Sequence, residues 1–119
     1  MNPRNGLKRK FDLHMKETVK PHLIGLIGDV HSEHTRLEQA LVFLHSAGIK
    51  TIVCTGDIVD GPGCPNQSIE LLMAYGVKTV AGNHDRWLLE NKVRHLPMAH
   101  HKADLSAQSL DYLQRLNKT

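Results

Sequence analysis

The length and composition of the chain predict one small domain. Its 119 residues are 40% hydrophobic and 4% aromatic, which is enough material for one core but not for two. No apolar run approaches the roughly 18 residues of a membrane-spanning helix, and no signal-type apolar block follows the N-terminus. The two cysteines, Cys54 and Cys64, are too few for a disulfide framework. We therefore expect a cytoplasmic protein without a membrane partner.

Positive charge is concentrated at the N-terminus. Residues 1–20 contain six Lys or Arg against two acidic residues, whereas the other 99 residues carry a net charge of −1. The overall charge of +3 thus describes the N-terminal segment and not the domain. We predict a basic, disordered extension over residues 1–20, a single domain over 21–119 that is apparently truncated, and no nucleic-acid partner. Whether Met1 or Met15 is the natural start stays open.

The first elements in chain order are a strand and a helix. The continuous apolar run "HLIGLIGD" (residues 22–29) predicts a strand buried on both faces. Ser32 can cap the helix that follows, and Gly48 is expected to end it. The apolar positions of that helix recur with a helical period at Leu37, Ala40, Leu41 and Leu44.

The same alternation continues to residue 94. "KTIVCTGD" predicts a second buried strand that contains Cys54, and Cys64 lies in the loop "GPGCP". A second helix carries Ile69, Leu72 and Met73 on one face and ends at Gly76; "VKTVAGNHD" predicts a third strand, and "RWLLENKV" a further helical segment. This order predicts an α/β fold with a parallel βαβαβ core.

A cluster of polar side chains follows the three predicted strands. The strands end in "GDVH", "GDIVDG" and "GNHD", and parallel strands place their carboxyl ends at one rim of the sheet, where such folds bind ligands. Carboxylate and amide oxygens with imidazole nitrogens suit a hard or borderline divalent ion. A cation would also relieve the repulsion among carboxylates that have no Lys or Arg between them. The candidates are Asp29, His31, Asp57, Asp60, Asn83, His84 and Asp85.

These motifs resemble the first three motifs of the calcineurin-like metallophosphoesterases. The matching residues are Asp29-x-His31, Gly56-Asp57-x-x-Asp60-Gly61 and Gly82-Asn83-His84-Asp85, in the family's order and with its spacing. The resemblance covers residues 22–94 and implies the N-terminal half of that family's sandwich fold. Gly61 and Asp85 stand where the family's protein Ser/Thr phosphatases usually have Arg and Glu, which points to the small bacterial-type phosphodiesterases and phosphatases.

The resemblance implies a role for each candidate. Asp29 and His31 would bind a first metal, Asp57 would bridge two metals, and Asn83 would bind the second. His84 would protonate the leaving group. Asp85 would orient His84, and Asp60 would support the rim by hydrogen bonding. The cofactors would be two divalent ions (Mn, Fe, Zn, Ni or Mg), and the substrate a phosphomonoester or phosphodiester.

The family's later metal ligands, a lone His and a Gly-His-x-His motif, have no counterpart in this sequence. We expect His100 and His101 to be solvent-exposed in a loop before a helix that begins at Ser106. The other histidines, His14, His22, His34, His45 and His95, are expected to be structural or exposed. Leu105, Leu110, Leu113 and Leu116 predict an apolar stripe that this helix buries. Two functions remain open: a metal-dependent phosphoesterase, and a truncated, catalytically inactive or regulatory binding module that keeps a partial metal site. A homo-oligomer is a further expectation for either.

Overall fold

The computed structural model describes residues 23–118, without the side chains of residues 117 and 118. The predicted N-terminal extension therefore lies outside the described residues. The strands are β1 (Ile24–Ile27), β2 (Thr51–Cys54), β3 (Lys78–Ala81) and the two-residue β4 (Asn117–Lys118). The helices are α1 (His34–Ser46), α2 (Pro65–Ala74), α3 (Asn83–Glu90) and α4 (Ala107–Arg115), with a 3₁₀ turn at Lys102–Asp104.

The sheet confirms the predicted parallel βαβαβ core. Its strand order is β1-β2-β3-β4, and every neighbouring pair is parallel. Ile24 pairs with Thr51 at the start of β1, and Cys54 pairs with Thr79 of β3. Because consecutive strands are neighbours and run in the same direction, the ends of β1, β2 and β3 open onto one rim.

The described helices that pack on the sheet cover one of its faces. A side chain at Gly25 would meet Leu44 of α1, so this face of β1 lies under α1. On the same face, further along the sheet, the hydroxyl of Tyr112 in α4 donates to the hydroxyl of Thr79 at 2.9 Å. Between these contacts lies the core, which includes Ile52 and the fully buried Cys54.

The prediction that β1 is buried on both faces is wrong. Ile24 and Leu26 alternate with Gly25 and therefore point to the opposite face of the sheet, where they are 61% and 71% exposed. An unbroken apolar run does not distinguish a central strand from an edge strand, and β1 is at the edge of the described sheet. The described residues thus present an apolar sheet face at β1.

Two helix starts also differ from the sequence-based expectation. Ser32 does not cap α1; its hydroxyl is fully buried and donates to the carbonyl of Ile58 at 3.3 Å, while Glu33 occupies the cap position. Helix α3 begins at Asn83, inside the third motif, and ends at Glu90, before a left-handed Asn91. Apart from its first residue, Gly82, the third motif is therefore part of the helix and not a loop in front of it.

The last helix follows the prediction. Ser106 caps α4 by accepting from the backbone N–H of Ser109 at 3.1 Å. Leu105 and Leu113 are buried, and Leu110 and Leu116 pack against the same core. Among the described residues no helix has the length and apolar character needed to cross a membrane.

Candidate metal centre

The loops after β1 and β2 are joined by backbone hydrogen bonds. The N–H of His31 donates to the carbonyl of Asp57 at 2.8 Å, and that of Ser32 donates to Ile58 at 2.7 Å. Several residues here adopt the left-handed region that non-glycine residues rarely occupy, among them Asp29, His31, Asp57 and Asp60, with φ between 44° and 70°. Such strain of about 1–3 kcal/mol per residue persists where the surroundings fix the backbone, and it concentrates at functional sites.

Asp29, His31 and Asp57 form a triad of potential metal ligands. One ligand atom of each lies within 4.8 Å of the others. Nδ1 of His31 is 2.9 Å from the carbonyl of Asp60 and 3.2 Å from that of Val59. Because a carbonyl only accepts, Nδ1 must carry the proton, which leaves the Nε2 lone pair for a metal. Two carboxylates and a neutral imidazole are a donor set that fits a divalent cation.

The side chain of Asn83, the first residue of α3, faces the carboxylate of Asp57. Its amide nitrogen donates to the two Asp57 oxygens at 3.1 and 3.3 Å. Turned by 180°, the amide presents its oxygen, a donor atom that suits a divalent cation. The close approach depends on Gly82, where a Cβ would collide with the Asp57 side chain.

The carboxylate of Asp85 binds the backbone of the loop that follows β2, and not the side chain of His84. This carboxylate is fully buried and accepts backbone hydrogen bonds from Gly82, Asp57, Ile58 and Val59 at 2.9–3.3 Å. Burial raises the pKa of Asp85, and the backbone hydrogen bonds from Gly82, Ile58 and Val59 oppose that shift. The expectation that Asp85 orients His84 is thus corrected: its oxygens bind the backbone on which the left-handed Asp57 depends.

His84 contacts Asp60 instead. Its Nδ1 lies 2.9 Å from Oδ2 of Asp60, and its backbone N–H donates to Oδ1 of Asp57 at 3.0 Å. The ring lies 4.8 Å, centroid to centroid, from both the imidazole of His31 and the indole of Trp87. The start of α3 therefore places His84 beside the candidate triad, and Asp60 orients its ring.

Asp60 has a cationic partner, Arg94, that the sequence did not predict. Arg94 donates to both carboxylate oxygens at 2.8 Å, with 9% and 4% of the two side chains exposed. Burial alone would raise the pKa of Asp60, but hydrogen bonds from Arg94, the backbone of His100 and His84 lower it to about 2. The rim carboxylates are therefore not without an Arg, contrary to expectation. No sequence signal marks Arg94, since it lies in a segment without regular periodicity.

The prediction that His100 is solvent-exposed is wrong. The residue is half-buried, its Nδ1 accepts from the N–H of Asp60 at 3.0 Å, and its own N–H donates to Oδ1 of Asp60 at 2.9 Å. Burial lowers the pKa of His100. His101, by contrast, is exposed, as expected.

The other described histidines are not part of the triad. His34 accepts at Nδ1 from the N–H of Cys64 at 3.1 Å. His45 is exposed and its ring contacts Tyr75, and His95 is exposed. His14 and His22 lie outside the described residues.

An α/β fold with a carboxylate–imidazole triad at the rim defines a candidate metal-dependent hydrolase. The family model for calcineurin-like phosphoesterases matches residues 22–117. The chain belongs to this family.

One relative is an uncharacterized protein, MJ0912, from Methanocaldococcus jannaschii. It is 39% identical over 67 residues, which cover 56% of this chain and 28% of the relative. The match therefore spans little more than a quarter of that protein. No solved structure matches the chain significantly.

Proposed function

We propose that this chain carries the metal-binding rim of a phosphoesterase that hydrolyses phosphomonoesters or phosphodiesters. The observation that carries the proposal is the triad Asp29, His31 and Asp57, whose ligand atoms lie within 4.8 Å of one another. Membership of the calcineurin-like phosphoesterase family supports the same class of reaction.

The first metal would be held by Asp29, by Nε2 of His31 and by Asp57. Asp57 would be shared with a second metal, for which Asn83 supplies an amide oxygen. When bound, two divalent ions supply positive charge for the phosphoryl oxygens and lower the pKa of an attacking water. Asp57 is suited to bind both metals because Asn83 and His84, at the start of α3, both approach its carboxylate.

His84 would protonate the leaving-group oxygen. An ionised Asp60 only accepts hydrogen bonds, so Nδ1 of His84 must donate to it, and Nε2 is the nitrogen that remains for a substrate. A positioned general acid of this kind contributes about 10²- to 10⁴-fold to a rate.

The alternative is a binding or regulatory module that holds one metal and does not turn over substrate. One observation favours it: among residues 23–118, the triad is the one cluster of three or more carboxylate, imidazole or thiol side chains close enough to hold an ion. Asp57 and Asn83 alone would hold a second ion weakly.

Calorimetric titration with MnCl₂, followed by hydrolysis assays at high enzyme concentration, tests the proposal. The substrates are p-nitrophenyl phosphate and bis(p-nitrophenyl) phosphate. His31→Ala should abolish both metal binding and any metal-dependent hydrolysis, while His101→Ala, which removes an exposed imidazole, should change neither. Binding without hydrolysis of either substrate would favour the alternative. Absence of metal binding would overturn both.

A further inference from the structure

The segment between α3 and the 3₁₀ turn, residues 91–101, folds back over the loop that follows β2. It contains no helix or strand, yet it brings Arg94 and His100 to the same carboxylate. Nε of Arg94 donates to the carbonyl of Lys92 at 2.8 Å, and one terminal nitrogen donates to the carbonyl of His100 at 2.7 Å. The guanidinium thus ties the two ends of the segment together while it binds Asp60.

We propose that Arg94 and His100 are positioning residues for His84, acting through Asp60. The inference deepens the proposed function and rests on it, because it gives the residues that hold the general acid in place. Neither side chain is expected to touch substrate: Arg94 is 9% exposed, and Nδ1 of His100 is occupied by the N–H of Asp60.

The carboxylate of Asp60 accepts four hydrogen bonds. Oδ1 accepts from Arg94 and from the N–H of His100, and Oδ2 accepts from Arg94 and from His84, all at 2.8–2.9 Å. A carboxylate has about four lone-pair sites, so all of them are used. Rotation of the carboxylate would break the Arg94 fork, and Oδ2 is therefore fixed where it meets Nδ1 of His84.

The backbone of Asp60 is held in the same way. Its N–H donates to Nδ1 of His100, and its carbonyl faces Nδ1 of His31 at 2.9 Å. The left-handed conformation of Asp60, with φ at 70°, thus has a partner on both sides of the residue. Loss of His100 would free the backbone, and loss of Arg94 would free the carboxylate.

If Arg94 and His100 only stabilise the fold, their loss should leave the tautomer of His84 unchanged in a folded protein; if they position His84, it should change. Long-range ¹H–¹⁵N correlation spectra of the metal-free full chain report which imidazole nitrogen carries the proton, and no catalysis is needed. In mildly alkaline buffer, His84 of the wild type should show the Nδ1–H form alone, because Nδ1 faces the carboxylate of Asp60. Arg94→Met and His100→Ala should lose that pure form, and Arg94→Lys, which keeps the charge without the fork, should lose it in part.

Two matched controls lie elsewhere on the chain. Arg115→Met removes an exposed guanidinium that pairs with Asp111 at 3.0 Å, and His101→Ala removes the exposed neighbour of His100; both should keep the wild-type His84 spectrum. Circular dichroism establishes that each variant is folded. A folded Arg94→Met protein with an unchanged His84 spectrum would overturn the proposal, whatever the enzyme does.

A kinetic comparison separates this inference from the proposed function. On substrates with poor leaving groups, Arg94→Met should lower kcat at least about tenfold, which is a part of the roughly 10²- to 10⁴-fold that a general acid contributes. KM and Mn²⁺ affinity should stay unchanged. With good leaving groups the loss should be small. If the variants change the His84 spectrum but the protein hydrolyses neither substrate, the positioning role is supported and the proposed phosphoesterase activity is contradicted. If Arg94→Met lowers kcat equally on both substrate classes, Arg94 does not act through the general acid.

Discussion

The imidazole rings of His31 and His84 meet edge to face, with centroids 4.8 Å apart and planes inclined at 84°. Each ring has its Nδ1 against an oxygen of Asp60: His31 against the carbonyl and His84 against the carboxylate. The same residue therefore sets the tautomer of a candidate metal ligand and of a candidate acid. Both histidines are left with Nε2 for chemistry, yet the roles that we assign to them are separable by mutation.

Asp57→Asn should weaken metal binding more than His84→Ala does. The carboxylate of Asp57 contributes negative charge to the triad, whereas His84 contacts Asp57 through its backbone N–H, which survives truncation to alanine. We expect at least about a 10- to 100-fold loss of Mn²⁺ affinity for Asp57→Asn, since even outer-shell changes reach that size. Calorimetric titration measures it. Asp111→Asn, an exposed carboxylate on α4, serves as control, and an equal loss in His84→Ala would contradict the assignment.

The sheet and its rim could be predicted from sequence because their signals are local. Apolar runs that end in Gly-Asp or Gly-Asn mark β1, β2 and β3, and short connections favour parallel neighbours. Burial of β1 could not be predicted in the same way. Leu26 is apolar whether or not another layer covers it, so the run of residues carries no information about its exposed face.

Asp85→Asn should destabilise the fold. The buried carboxylate accepts from four backbone N–H groups, and an amide would turn one of its two oxygens into a donor that faces donors. Breaking such a network costs about 3 kcal/mol or more. Urea unfolding measures the free energy of unfolding, with Asp111→Asn as the exposed control. A change below about 0.5 kcal/mol, the range of ordinary surface substitutions, would show that the network is not needed.

His100 and Asp60 should each contribute a loss of stability, over separate pH ranges, as the pH is lowered. The folded pKa of His100 is lowered from 6.5, so the unfolded chain takes up its proton first, and stability present above about pH 6.5 is lost as the pH falls toward the folded value. Asp60 has a folded pKa of about 2 against 3.8, so its contribution is present above pH 3.8 and is lost as the pH falls through 2.

Urea unfolding at a series of pH values measures both losses. His100→Ala should remove the contribution of His100 to the loss below pH 6.5, and His101→Ala should retain it. If His100→Ala follows the wild-type pH dependence throughout, the bond between Nδ1 of His100 and the N–H of Asp60 does not control this loss.

The apolar face at β1 should promote self-association. Leu23, Ile24 and Leu26 are 61–71% exposed on or beside β1, an edge strand of the described sheet. Apolar side chains and a backbone edge that no other described strand covers can both bind another chain. Leu26→Lys should shift the protein toward monomer in sedimentation velocity at increasing concentration. Phe43→Lys replaces an equally exposed residue on α1 and should have little effect; the reverse result would assign association to the helix.

The triad could be predicted from motif spacing, but the residues that orient it could not. Asp29, His31 and Asp57 follow strands whose register is fixed by the sheet. Arg94 and His100 lie in an irregular segment, and their partner is a single carboxylate more than 30 positions earlier in the chain. A lone Arg in such a segment looks like any solvated charge until the three-dimensional structure shows that it is buried.

The isolated chain should bind one divalent ion firmly and hydrolyse phosphate esters only slowly. Asp29, His31 and Asp57 provide three ligand atoms for that ion, whereas the second position has Asp57 and Asn83 alone among the described candidates. His100 cannot add a ligand through Nδ1 without giving up the N–H of Asp60. Without a second cation, half of the positive charge that would stabilise the phosphoryl oxygens is missing, and the pKa of the attacking water is lowered less. Calorimetry with MnCl₂ gives the stoichiometry, and His31→Ala should remove the one firm site. Two tight sites per chain together with rapid hydrolysis would show that further side chains, from outside this set or from a second copy, complete the centre.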